Sequence, residues 1–448
     1  MRPSVVSMRR IVGPMRRAPA LVLLALAAAL AAAPALRAQQ PSPAQAALDA
    51  VAAPLYQQLA ALKGIASPGP PPPVLLRSRA ENRRSIEQEI ARRYSPAVLE
   101  GERKSMVAWG VIPPDYDLRR LFLDLLEEQV SAYYDARGKV MVVGDWLQPE
   151  QQRAALMHEL VHALQDRELP LDTFIAPDPG HGDRLLARQA LVEGEAVALS
   201  FDLMLKPQGI DLTGLSNLSM ARGLIVSSAG GPVVSKAPKF VRDLLLFPYV
   251  EGLGFAYEFR KRHPWSDMSA VYRDPPRSTT QILHPEKYLD AREHPLPVVI
   301  PDLSRLLPGG RLVSDEDLGE FGLGAVLALH LGEVDGRRAA VGWRGDRYRI
   351  WEDDGGRFVI AYRVVAADAE IATAMATHLQ ASVEKRHPEL AGKAVVRAGG
   401  IVTWVDGGRV FAVEARGTSV VLLERLPAQA FDRARDGVWR TRPVGGSR

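Results

Sequence analysis

The chain has 448 residues, 47% hydrophobic and 24% charged, which excludes disorder and fibrous repeats and supplies enough length for two or three domain-sized cores. It contains no cysteine, so disulfides, thiolate metal sites and a cysteine nucleophile are excluded. The net charge of +4 comes from six arginines before residue 39 that face no acid; without them the chain carries −2 and lacks the basic footprint of a nucleic-acid binder.

Arginines, an uncharged apolar run over residues 20–33 and small residues up to Ala38 follow one another in the order of a secretory signal. Residues 1–38 are therefore expected to direct export, to the periplasm or out of the cell. The apolar run is shorter than the ~20 residues of a bilayer span. Leu36, three residues before the cleavage point, leaves an uncleaved anchor as the alternative, and membrane association is expected only in that case. Residues 39–65 are Ala- and Gln-rich with helical spacing and Pro70 to Pro73 end that segment, so an Ala/Pro-rich lead-in over 39–75, flexible or loosely packed, is expected.

Helical spacing is present over 79–93 and 118–126. The period then changes, and β-rich runs over 129–134 and 139–143 flank Asp135-Ala136-Arg137-Gly138, which predicts a hairpin. Two apolar helices follow over 150–167 and 184–206, and a Ser/Gly-rich stretch to residue 239 is expected to be a loop-bearing insertion. Helix resumes over 241–246 and 251–262, and six prolines make 275–301 irregular. Beyond that point short strands surround one helix that starts behind Asp368, with Ile371, Met375, Leu379 and Val383 on one face. The chain thus divides into a domain over 76–300, a connecting segment over 301–335 and a C-terminal α+β module over 336–448. The module is expected to be independent of the chemistry upstream. Its Trp343, Trp351 and Trp404 read as core residues, with a binding face as the alternative.

That chemistry is concentrated in His158-Glu159-Leu160-Val161-His162. Residues four apart on a helix are rotated by about 40°, so both imidazoles project together and can share one metal ion. Zinc accepts neutral imidazole nitrogens and lowers the pKa of a bound water to about 7. Glu159, turned by about 100° from His158, can reach that water as a general base without being a ligand. A third ligand is needed, and the apolar helix at 184–206 offers Glu193 and Glu195, carboxylates whose burial calls for a cation. Gly194 between them predicts close approach of another backbone.

The run from His158 to Asp166, with Glu193 placed 31 residues beyond His162, resembles the Glu-ligand zincins, the thermolysin-like clan of zinc metallopeptidases, and within it exported bacterial neutral zinc metallopeptidases. The resemblance covers about residues 125–206. It implies a mainly helical zincin-like catalytic domain with a small sheet, hence an α+β chain overall. It also implies Zn2+ held by His158, His162 and Glu193, and peptide hydrolysis with Glu159 as the base. A strand before the zinc-binding helix often aligns substrate in that clan, and the hairpin over 129–143 is placed to supply it. The clan carries an acid four residues after the glutamate ligand to orient a zinc histidine. Val197 stands there in this chain, so Asp166 or Glu195 is expected to take over. For the oxyanion donor the candidate is His284, with Tyr288 behind it. His181 sits among turn-forming prolines and glycines and reads as a loop residue.

The sequence therefore points to an exported zinc metallopeptidase acting on a peptide or protein substrate. The alternatives are an exported scaffold or binding protein that keeps the zinc site without turnover, and a zinc hydrolase of non-peptide amides or esters.

Overall fold

A computed structural model of the chain describes residues 43–441. The secretory signal and its cleavage point lie outside the described residues. The first described element, α1 (Pro43–Lys63), buries Leu48, Ala52, Leu55, Tyr56 and Leu59 at helical spacing. It packs against the two helices that carry the chemistry. The expectation of a loosely packed lead-in over 39–75 is thereby corrected. The helical spacing is legible in the sequence, but the packing of its apolar face is not, because most of its partners lie far along the chain.

Strand β1 (Val74–Arg77) follows, then α2 (Arg79–Arg93), α3 (Pro96–Ala108) and α4 (Leu118–Gln129). Helix α4 starts where Asp117 accepts a hydrogen bond from the Arg120 N–H at 2.9 Å, and it buries Leu118, Leu121, Phe122, Leu125 and Leu126 as one stripe. The hairpin of β2 (Ala132–Asp135) and β3 (Val140–Gly144) pairs in antiparallel register, Tyr134 opposite Met141. Because β3 also takes β1 as a parallel neighbour, β2 stands at the edge of this three-stranded sheet.

Helices α5 (Pro149–Glu168), α6 (Leu171–Phe174) and α7 (Gly182–Leu205) come next. Beyond α7 the chain makes an excursion that contains α8 (Ser219–Ser228) and α9 (Pro232–Lys236), and it returns as α10 (Lys239–Arg260), one helix that runs through Pro248. Helix α7 is buried on nearly every side, and α10 lies along it. A Cβ on Gly194 would sit 2.2 Å from the backbone of Gly252, and one on Gly252 would sit 2.1 Å from the Ala190 carbonyl oxygen. The two glycines let the helix axes cross at backbone contact, which is the close approach predicted at Gly194. Helix α11 (Met268–Arg273) follows, and the short helices α12 (Thr279–Leu283) and α13 (Glu286–Leu289) interrupt the segment expected to be irregular.

The C-terminal unit starts earlier than expected. Strand β4 (Arg311–Glu316) precedes α14 (Gly319–Leu331) and α15 (Glu333–Ala340), and β5 (Trp343–Glu352), β6 (Phe358–Ala366), α16 (Ala369–Arg386), β7 (Val395–Val396), β8 (Val402–Asp406), β9 (Arg409–Arg416), β10 (Ser419–Pro427) and α17 (Phe431–Arg440) complete it. Seven strands form one sheet in the order β4-β5-β6-β10-β9-β8-β7, so residues expected to be a connector supply its first strand. Trp343, Trp351 and Trp404 are 3%, 0% and 1% exposed and belong to the core.

The expected independence of this unit is also corrected. One continuous apolar cluster runs from Leu48 in α1 to Leu422 in β10. Asp183 at the start of α7 accepts hydrogen bonds from the Thr279 N–H and hydroxyl, and Gly319 approaches it so closely that any side chain would collide. Lys104 of α3 pairs with Glu352 of β5 at 2.7 Å. Among the described residues no helix is long and apolar enough to cross a membrane.

Replacing Gly194 by Ala forces α7 and α10 apart, an overpacking that costs about 3 kcal/mol. Urea unfolding should show a lowered midpoint with little change in slope.

Candidate metal centre

Helix α5 places His158, Glu159 and His162 over successive turns, and their ligand atoms all lie within 4.8 Å of one another. The imidazole rings stand at 87° to each other with centroids 4.9 Å apart. Glu193 enters from the middle of α7, where one carboxylate oxygen, Oε2, lies 3.1 Å from His158 Nε2 and 3.5 Å from His162 Nε2. Zinc bonds of about 2.0–2.1 Å arranged tetrahedrally hold ligand atoms about 3.3 Å apart, so these two separations fit a zinc ion and the N/N/O donor set suits it. Glu159 is also near both rings, but its Oε2 accepts the Tyr134 N–H at 2.9 Å. That oxygen is therefore tied to β2, while Glu193 alone contacts both imidazoles.

Burial penalises the Glu193 carboxylate, yet the positive charge and hydrogen bonds of His162 and His158 outweigh it and hold its pKa down to about 2. Burial opposes the charged form of His162 as well, and Glu193 and Glu159 overcome this to raise the imidazole to about 9. The two groups compensate each other only because they are in contact. Glu159 is shifted upward, chiefly by burial, with the histidines pulling the other way.

Behind the first ring of residues lies a network that sequence reasoning anticipated only in part. His162 Nδ1–H donates to Gln165 Oε1 at 2.8 Å. The Gln165 amide nitrogen lies 2.9 Å from the Val192 carbonyl and 2.8 Å from Glu195 Oε2, both acceptors, so its oxygen must be the atom that faces the histidine. With Nδ1 committed as a donor to Gln165, Nε2 is the ring nitrogen directed at Glu193 and the one available to a metal ion that displaces its proton. Glu195 is in turn held by the Tyr272 hydroxyl at 2.5 Å and by the fully buried ammonium of Lys63 from α1. Of the two acids expected to orient a histidine, Glu195 acts one step removed, through Gln165. Asp166 instead accepts the Tyr134 hydroxyl at 2.8 Å and pairs with Lys139, which pins the hairpin to α5. Gln165 follows His162 by three residues on the same face, so its position was readable; its role depended on where α1 and α11 packed.

The centre opens into a cavity of about 430 Å3. Phe122, Leu125 and Leu126 of α4 and Val241, Leu244 and Leu245 of α10 form apolar walls, and Ile225 of α8 closes one side. Val197, where the resembling clan has an acid, contributes another apolar patch. Val130, Ser131 and Ala132 at the start of β2 also line it. Since the Tyr134 N–H points away from β3 toward Glu159, the N–H and carbonyl of Ala132, two residues earlier, face the same way and border the cavity.

His284 is not brought to this site. It caps α12, its Nε2 lies 2.6 Å from buried Glu320, and the hydrogen bond that it donates to that carboxylate raises its pKa. Tyr288 donates to the Asp274 carbonyl at 2.6 Å, likewise away from the cavity. His181 is the half-exposed N-cap of α7, 3.8 Å from Asp317. The residue that replaces His284 as candidate donor is Tyr249 of α10, which lines the cavity with its ring centroid 6.2 Å from that of His158. Burial, then the charges of Glu193 and Glu159, push its hydroxyl well above the ordinary tyrosine range, so it stays protonated. No motif marked it, because it lies 87 residues from His162 and depends on the α7/α10 crossing.

Residues 115–206, from just before α4 to the end of α7, match the IrrE N-terminal-like domain of the M78 peptidases, a metallopeptidase-like, metal-associated family. Residues 305–435 match a domain of unknown function, DUF8575, whose span begins just before β4 and ends inside α17. No curated protein and no solved structure matches the chain.

Replacing Gln165 by Leu leaves His162 Nδ1 without its acceptor, and zinc affinity should fall by about 10–100-fold in a competition titration with a chromophoric chelator.

Proposed function

We propose that the protein is an exported zinc-dependent peptidase, a Glu-ligand zincin whose centre is His158, His162 and Glu193 with Glu159 as general base. The observation that carries this reading is the convergence of two Nε2 atoms and one carboxylate oxygen at 3.1 and 3.5 Å, with a second, non-ligating glutamate beside them and an open apolar cavity in front. When bound, zinc supplies positive charge that acidifies water and polarises a carbonyl. The chain's own residues do the rest. Glu159, raised by burial yet braced by the Tyr134 N–H, takes a proton from the attacking water and returns it to the leaving amine. Tyr249 keeps its proton and donates a hydrogen bond to the oxygen of the former carbonyl as charge develops there. The outward-facing main chain of Ala132 pairs with an extended substrate, and the apolar walls accept bulky apolar side chains on either side of the cleaved bond.

Export to the periplasm or the exterior accords with the N-terminal signal order, and a peptide or protein is the substrate. The competing reading is a zinc-site scaffold without turnover, which the mixed character of the family, with non-catalytic regulators among its members, keeps in view.

Glu159→Gln should keep its zinc and lose at least 1000-fold in kcat on a mixed peptide library, and chelation should abolish the wild-type activity. Equal rates for the two proteins with zinc bound would favour the scaffold. Tyr249→Phe should lower kcat by about 100–1000-fold with KM and zinc content little changed, which stopped-flow peptide hydrolysis can measure. His284→Ala should leave kcat within a factor of two.

A further inference from the structure

Twelve large apolar side chains are exposed among the described residues, and five of them fall within 23 residues of chain: Met204, Ile210, Met220, Leu224 and Val226, each 43–68% exposed. Met204 stands at the end of α7, and the other four lie on the excursion between α7 and α10. Helix α8 carries apolar residues on two faces about 100° apart. Ala221 and Ile225 point inward, Ile225 onto the active cavity, while Met220 and Leu224, four residues apart on the other, face solvent. A short surface helix gains nothing in water from an outward apolar face, and a concentration of this kind marks a surface that something else covers.

Charge identifies the covering partner. The excursion, residues 206–238, contains Lys206, Arg222 and Lys236 against the single acid Asp211, a net of +2, with Arg222 paired to Glu251 of α10 at 3.0 Å. The chain's total of +4, less the six N-terminal arginines and these two, leaves −4 for everything else. A positive, apolar-tipped excursion on an otherwise acidic body is the pattern of an interfacial segment. We infer that the α8 excursion docks on an anionic lipid surface, with Met220 and Leu224 entering the boundary between headgroups and acyl chains. Lys206 and Lys236, both exposed, meet the headgroups. Docked in this way, the protein presents the cavity mouth at Ser228 and Ala229 beside the bilayer, where polypeptide emerging from or lying on the membrane is the accessible substrate.

The absence of cysteine makes the test direct. In the full chain, Leu224→Cys and Met220→Cys each introduce one thiol for an environment-sensitive fluorophore, and Val396→Cys, 71% exposed on β7, is the control. Vesicles of phosphatidylglycerol and phosphatidylcholine should raise emission at 220 and 224 at least threefold with a blue shift and leave 396 unchanged. The rise should fall by more than half in 0.5 M salt or on pure phosphatidylcholine, and adding Glu159→Gln should not alter it, so that this result stands apart from that for hydrolysis. No rise at either position, or an equal rise at 396, overturns the inference. So does a rise without vesicles that follows protein concentration, which would mean a second copy covers the face, or one produced by an unfolded polypeptide alone.

Discussion

Two carboxylates in the middle of an apolar helix are the constraint around which this molecule is arranged. Glu193 and Glu195 lie on α7, 5% and 0% exposed, and neither could stay ionised there alone. Residues two apart on a helix project about 200° apart, so the two acids must find partners on opposite sides. Glu193 meets the paired imidazoles of α5. Glu195 meets Lys63 of α1, Tyr272 of α11 and the amide of Gln165. Satisfying both draws α1, α5 and α11 onto α7, and the geometry of the candidate metal centre results from that packing.

The same network explains how the centre manages without an acid at Val197. An amide inserted between His162 and Glu195 passes on the orienting effect of the buried carboxylate while holding the imidazole in one tautomer. Lys63 neutralises the far end, so the helix that composition assigns to a loose lead-in is structurally part of the candidate metal centre. On the other face of α7, the Gly194/Gly252 contact sets the height of α10 and with it the position of Tyr249, one turn before Gly252. A single backbone crossing thus determines both the cavity wall and the candidate oxyanion donor.

The two family matches cover separate stretches of the chain, yet the stretches do not form separate bodies. The apolar cluster is shared, and the start of α7 is bonded to α12 and pressed against Gly319 of α14. The helix that delivers Glu193 is therefore anchored at its N-terminus by the unit that carries the seven-stranded sheet. The second unit acts on the site by fixing where α7 begins.

What the residues alone determined was local. Helix period, a hairpin turn and an N-cap placed α2, β2, β3, α5, α7 and α16 to within a few residues, because each depends on neighbours in sequence. The spacing of His158, Glu159 and His162 gave the chemistry for the same reason: a single helix holds all three. The choice between Glu193 and Glu195, the role of Gln165, the substitution of Tyr249 for His284 and the engagement of α1 were decided by tertiary structure. Each depends on which side of a helix meets which distant partner, and helical periodicity leaves that orientation undetermined where a helix, like α7, is apolar all around.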